Sequence, residues 1–254
     1  MKHTIFITLI FVLFATANPT LAQSPTSSVE GAAVLYNQGT LFHQEGKYQE
    51  AIDAFKRSIQ LKPDSASVYN NLGAAFSDYG SYSEAVVSLK EALRLKWDYA
   101  EAHRNLGTTY YRQGRMRAAI AEYEQAIRFK PDYSLAYNDL GLILAELDRT
   151  REAFAALKRA IQLNPKSALI LNNLGIAYSL VGQKKRAVKA FKQSLYLNPD
   201  FAEAHFNLAV VNLETNDRKT ALEQYARLKT INAKLANKLY QILFSDKLVI
   251  ANVK

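Results

Sequence analysis

The sequence predicts an all-α chain built as an array of stacked helix-turn-helix units, and three regularities carry that prediction. A small residue recurs every 34 positions, at Gly39, Gly73, Gly107, Gly141, Gly175 and Ala209. An alanine follows each of them twelve positions later, at Ala51, Ala85, Ala119, Ala153, Ala187 and Ala221. A helix-breaking position, held by Gly46, Gly80, Gly114, Asp148, Gly182 and Asn216, keeps the same step. Self-similarity at a fixed period of this length is the mark of a repeat architecture. Six units without insertion or deletion fill residues 32–235, as 32–65, 66–99, 100–133, 134–167, 168–201 and 202–235.

Taken in order, the chain starts with a positive Lys2 and the apolar run from Ile5 to Ala17, which is short for a membrane-spanning helix. Thr20-Leu21-Ala22 places small residues where a signal peptidase reads them, so residues 1–22 are expected to be a signal peptide cleaved after Ala22, or alternatively after Ala17. An uncleaved N-terminal membrane anchor is the competing reading. Residues 23–31 read as a polar, flexible leader. In the first unit Leu35, Gly39 and Phe42 fall at helical spacing and define its first helix. Gly46 ends that helix, and all six breaker residues are of the types that tolerate the left-handed conformation. The second helix buries Ala51, Phe55, Ser58 and Ile59 and stops before Pro63. Pro131, Pro165 and Pro199 repeat that stop, with Trp97 and Ala233 standing in for Pro in the second and sixth units. Leu235, Leu239 and Ile242 then form an i, i+4, i+7 stripe suited to capping the last unit, within a C-terminal cap helix and tail over 236–254.

Composition agrees with a packed fold. Of 254 residues 49% are hydrophobic, enough for a sizeable core. The net charge of +9 and a pI near 9.5 leave room for an acidic partner or an anionic surface. The absence of cysteine excludes a disulfide framework, a thiol nucleophile and a thiolate metal site.

These spacings of small, aromatic and proline residues resemble the tetratricopeptide repeat (TPR) family over essentially all of 32–235. The resemblance implies an α-solenoid, a right-handed superhelix whose first helices line a concave groove and whose second helices form the convex back. It also implies a scaffold for protein or peptide partners. Ala209, Trp97 and Asn212, where most units carry Gly, Pro and an aromatic residue, mark the departures.

Two residues before each small position stands Asn37, Asn71, Asn105, Asp139, Asn173 or Asn207. One residue is about 100° of helix, so this row cannot share the packing face. Family geometry places it on the concave wall, where a ladder of amides could pair with an extended peptide backbone; bonding within or between adjacent first helices is the alternative. Asp139 puts a charge in the row and suits a basic ligand group. The preceding position varies, with Tyr36, Asn70, Arg104, Asn138, Asn172 and Phe206, as a specificity position would. Other groove positions are small or polar early in the chain and apolar later: Leu135, Leu142, Leu169, Ile176, Leu180, Val210 and Leu213. Such a patch suits an apolar ligand segment, or the tail Lys247–Lys254 folded back into it. The family's carboxylate clamp for chaperone C-termini is not expected, since only Asn71 of its five ligand positions matches, Tyr36, Thr40, Glu101 and Asn105 being different.

Positive charge gathers in the fifth unit, where Lys185, Lys189 and Lys192 lie on one face of its second helix. The row reads as a basic convex patch for anionic envelope lipid, polysaccharide or an acidic protein, or as a solvated outer face. Nucleic acid is disfavoured as a partner, because no recognised nucleic-acid module is present. His103 and His205 occupy one repeat position three units apart and cannot share a metal. No catalytic motif appears, so no enzymatic activity, no cofactor and no metal are expected. The sequence therefore points to an exported, periplasmic or secreted binding scaffold, with an envelope adaptor or an accessory subunit of an envelope enzyme as alternatives.

Overall fold

The computed structural model describes the backbone of residues 25–251 and the side chains of 29–244, so the expected signal peptide lies outside the described residues. Thirteen helices are described. They pair as α1 (Pro25–Gln44) with α2 (Tyr48–Leu61), α3 (Ala66–Tyr79) with α4 (Tyr82–Leu95), and α5 (Ala100–Arg112) with α6 (Met116–Phe129). The series continues with α7 (Ser134–Glu146) and α8 (Thr150–Leu163), α9 (Ala168–Leu180) and α10 (Lys184–Leu197), and α11 (Ala202–Glu214) and α12 (Arg218–Ile231). Helix α13 (Ala233–Ala251) closes the array.

Each unit turns at its breaker residue. Gly46, Gly80, Gly114 and Gly182 adopt φ of 74°, 96°, 73° and 73°, and Asp148 and Asn216 adopt 56° and 61°. Glycine meets no steric penalty there, and Asp and Asn are the side chains that tolerate it best. The second helices all end with an extended residue, from Lys62 (φ −143°) to Asn232 (φ −151°), whether or not Pro follows. Trp97 makes the turn of the missing proline. It is exposed and packs edge-on against Phe129, with ring centroids 5.1 Å apart.

The small residue of each first helix sits directly under a large side chain of its partner. A Cβ added at Gly73 would stand 2.5 Å from Leu89 Cγ, and one at Gly175 would stand 2.5 Å from Phe191 Cε1. The same holds at Gly39, Gly107 and Gly141 against Phe55, Tyr123 and Leu157. Contact this close keeps a helical glycine that costs about 1 kcal/mol against alanine. In the sixth unit Ala209 replaces glycine, and α11 and α12 pack less extensively than the other pairs. Asn212, at the aromatic position, is buried and donates to the Leu208 carbonyl at 2.8 Å.

Successive first helices touch one another, whereas among the described residues no two second helices do. The array therefore closes on the first-helix side, which makes α1, α3, α5, α7, α9 and α11 the inner wall. The closure is uneven. Helices α7 and α9 are the most closely packed pair of first helices, while α8 and α9 are the least closely packed consecutive helices. At that step the solenoid pinches inside and gapes outside.

Two expectations are corrected. Residues 25–31, read as a flexible leader, form the first turns of α1, whose Pro25 is preset for a helix start. The cap stripe keeps Leu239, with Leu235 packed against it, but takes Ala236 and Leu243 in place of Ile242. Ile242 lies about 100° round the helix from Leu243 and is exposed. Helix α13 runs on through residues 247–251, and its described contacts are with α11 and α12.

Candidate functional site: the inner wall of first helices

The ladder residues are bonded to the protein itself. Asn105 Nδ2 donates to Asn70 Oδ1 at 2.9 Å, Asn173 Nδ2 to Asn138 Oδ1 at 3.1 Å, and Asn207 Nδ2 to Asn172 Oδ1 at 3.0 Å. Within one helix Asn70, Asn138 and Asn172 then donate to Asn71, Asp139 and Asn173 at 3.0, 3.0 and 3.2 Å. Asn71 donates to the Tyr36 hydroxyl at 3.1 Å. The result is a chain of amides passing from one first helix to the next. Asn37, at the first unit, is exposed.

The residue before each ladder position is thus the acceptor for the next unit's amide. Asn70, Asn138 and Asn172 are buried in the seam between first helices, and Asn138 is 0% exposed. They are not the open, varying specificity positions that the sequence suggested. Their variation has a local cause: Arg104 stands where these units place an accepting amide, and an arginine has no acceptor. The next ladder residue must then accept, and it is Asp139, whose Oδ2 takes the Arg104 Nε–H at 2.7 Å. The charge read as suiting a basic ligand is answered from within the chain. Burial lifts the Asp139 carboxyl above its ordinary range, with the Arg104 charge and the Asn138 and Arg104 bonds opposing it.

A second row runs along the far ends of the same helices. His43 Nε2 meets Asp78 Oδ2 at 2.9 Å, Arg112 Nη1 donates to Ser77 Oγ at 3.1 Å and Asp78 Oδ1 at 2.6 Å, and the Tyr111 hydroxyl donates to Glu146 at 2.6 Å. Burial acts to raise the Asp78 carboxyl, but the bonds from His43 and Arg112 and the Arg112 charge hold it below its ordinary value. Burial, with the adjoining Glu146 carboxylate, pushes the Tyr111 hydroxyl up to about 12. Seven of the bonds in the two rows, together with the Arg104–Asp139 pair, span 35 residues, one more than the repeat.

The second row changes character at the α7–α9 junction, where its positions hold Ala145 and Leu180. Ala145 is buried, and its small side chain lets the helices close up. Leu180 finds no polar partner to pair across the seam and stays 52% exposed on the wall, and Leu169, at the other end of the same helix, is 41% exposed. Leu135, Leu142, Ile176, Val210 and Leu213 are half-buried around them. At α5–α7, by contrast, the Arg104–Asp139 pair borders a cavity of about 230 Å³, lined also by Thr108, Tyr111, Tyr123 and Leu142.

Residues 7–238 match the family model described as the Cilia and flagella-associated protein 70 C-terminal domain, a TPR model. The chain belongs to this tetratricopeptide repeat family. Solved TPR-type solenoids share its fold. A chain of the APC/C hetero-tetramer Cut9-Hcn1 superimposes with a TM-score of 0.72 at 21% identity over 84% of this chain, which spans 43% of that one. TTC0263, a thermophilic TPR protein of Thermus thermophilus, gives 0.67 at 20% identity over 72% of this chain and 99% of that one. PilF of Pseudomonas aeruginosa gives 0.65 at 18% identity over 85% and 98%. No curated protein matches the sequence. The TPR fold makes the chain a scaffold for protein–protein interaction.

On the outer side Lys185, Lys189 and Lys192 are all exposed along α10. His103 and His205, which share a repeat position, do local structural work. His103 joins Glu122 at 2.7 Å to the Trp97 carbonyl at 3.0 Å, and His205 joins Gln224 at 2.6 Å to the Pro199 carbonyl at 2.8 Å. Among the described residues no three metal-binding side chains cluster, and no helix is long and apolar enough to cross a membrane.

Proposed function

We propose that the chain is an exported, non-enzymatic scaffold that binds an apolar segment of a partner protein on the inner wall formed by α7, α9 and α11. The observation that carries this reading is the exposure of Leu180 and Leu169 on a wall whose amides are already bonded to one another. Burying apolar surface of that kind is worth about 25 cal/mol per Å², which an amide row engaged elsewhere does not supply. The amide row retains a supporting role, since each Asn keeps a second N–H beyond the bond it gives its neighbour. Export rests on the character of residues 1–22, and its check is the mature N-terminus: Gln23 is expected, and an intact Met1 would replace export with anchoring or retention.

Crosslinking capture from the native envelope, read by mass spectrometry, tests the binding face. A Leu169→Asp/Leu180→Asp variant is expected to lose the captured partner while melting as the wild type does. Capture unchanged in that variant, and lost on replacing Asn71, Asn105 and Asn173 with Ala at unchanged stability, would return recognition to the amide row.

A second reading is favoured by the outer face, where Lys185, Lys189 and Lys192 have no carboxylate within 4 Å among the described residues. It makes α10 a docking surface for an anionic envelope component. Neutralising the three lysines should then abolish a salt-sensitive association.

A further inference from the structure

The outward gape between the fourth and fifth units exposes a furrow that closes at the neighbouring junctions. Its floor is the outer face of α9. Leu174 and Tyr178 there are half-buried, whereas their counterparts Leu106, Tyr110, Leu140 and Leu144 are buried. One wall is α8, with Phe154, Lys158 and Ile161, and the other is the start of α10, with Arg186. The cavity measures about 500 Å³, and the Phe154 and Tyr178 rings meet in it with centroids 4.9 Å apart.

Two further cavities adjoin it. One of about 270 Å³ shares Leu174, Tyr178 and Arg186 and adds Lys189; one of about 590 Å³ shares Arg186 and adds Lys184 and Lys185. No carboxylate lines any of the three. Of the cations around them Lys184 meets Glu214 at 3.3 Å, whereas Lys158, Lys185, Arg186 and Lys189 have no acidic side chain within 4 Å among the described residues. Arg186 instead donates to Gln183 at 2.9 Å and lies over the Tyr178 ring at 5.8 Å. Elsewhere Arg94, Arg104, Arg112, Lys130, Arg149 and Arg227 are paired with carboxylates, while among the described residues Arg57, Arg117 and Arg151 are not. What distinguishes the furrow is that its unpaired cations surround a recessed apolar pocket.

We propose that this furrow is a second binding site, for an acidic peptide segment that packs one aromatic side chain against the Phe154–Tyr178 ring pair and Leu174 while its flanking carboxylates meet Lys158, Arg186 and Lys189. The inference rests on the basic outer face described above and adds to it a recessed apolar pocket. A recessed pocket discriminates between occupants: its apolar groups cannot enter a bilayer, whereas a protruding side chain can enter them. Buried aromatic anchors ringed by charge complementarity are the usual source of affinity and specificity at such interfaces.

Fluorescence anisotropy on the whole chain tests it. The probe is a labelled octapeptide of alternating aspartate and glutamate with a central phenylalanine, compared with the same peptide carrying serine there. Binding of the phenylalanine peptide is expected, weakening with salt. The serine peptide should bind at least about tenfold more weakly, the loss of one buried aromatic contact. The surface variant Lys158→Glu/Arg186→Glu, with an unchanged melting curve, should weaken the phenylalanine peptide by about tenfold. Equal binding of the two peptides, or indifference to the double variant, overturns the proposal. Binding to phosphatidylserine vesicles with none to the peptide overturns it while leaving α10 as an anionic docking face, and binding to neither removes both.

Discussion

At the α5–α7 junction the inner wall is held by an ion pair and a tyrosine–carboxylate bond, and a cavity of about 230 Å³ opens between the helices. At the α7–α9 junction, one repeat later, the same positions hold an amide pair, an alanine and a leucine; the helices close up inside and part outside. The first helices are of the same length and the repeat period is unbroken. Four side chains make the difference: Arg104 against Asn138, Asp139 against Asn173, Tyr111 against Ala145, and Glu146 against Leu180. Local curvature of this solenoid is thus set in the seam between first helices, and it determines where apolar surface is left for a partner.

The largest effect expected at the closed junction comes from Asn138→Ala. The change strands the Asn173 N–H and one Asp139 oxygen in a buried seam. At about 1–3 kcal/mol for each orphaned group, a loss of about 3 kcal/mol is expected in urea unfolding, beyond that of a surface Asn. A loss near zero would mean that the junction does not depend on its amides. Ala145→Tyr copies the open junction into the closed one and should cost about 2 kcal/mol through overpacking. Adding Leu180→Glu supplies the partner that Tyr111 finds in Glu146, and should recover part of that cost. A neutral Ala145→Tyr would show that α7 and α9 are not tightly apposed in solution.

The smallest effect is a pH dependence confined to the α5 side. Burial acts to lower the His103 pKa, but the bonds to Glu122 and the Trp97 carbonyl, with the Glu122 charge, outweigh it and the value is raised. A raised folded value means that the stabilising contribution is complete below the ordinary histidine range and fades as pH climbs through the folded value. Between about pH 6 and pH 8 the wild type should therefore lose a degree or two of Tm relative to His103→Gln, whose curve lacks this component. The equivalent position on α9 is Leu171, so amide exchange there should show no matching pH response. The contrast disappears if both variants and both helices respond alike.

The fold was almost wholly legible because it rests on local chemistry. Glycine at a left-handed turn, a small residue beneath Phe55 or Leu89, and a stop near Pro63 each carry their reason within one 34-residue unit. The ladder was legible as a row but not in its role. The partner of Asn105 or Asn173 is not in its own unit but 35 residues earlier, in the neighbouring helix. Reading at that offset would have found Arg104 with Asp139, Tyr111 with Glu146 and His43 with Asp78, all complementary pairs. It would also have found Ala145 with Leu180, where the polar row gives way. The outer furrow has no such signature, since it follows from the looser packing of α8 on α9 rather than from a residue pattern.

The seam makes one claim above the others: the side chain before each ladder position dictates what the next ladder residue must be. A double-mutant cycle on Arg104→Asn and Asp139→Asn, read by urea unfolding, tests it directly. Arg104→Asn leaves a half-buried carboxylate without its cation and should cost about 2 kcal/mol; Asp139→Asn leaves a half-buried guanidinium without its anion and should cost a similar amount. Together the two changes install the Asn–Asn arrangement seen between Asn70 and Asn105, and the double variant should return to within about 1 kcal/mol of the wild type. Losses that simply add, with no coupling between the two positions, would contradict the account.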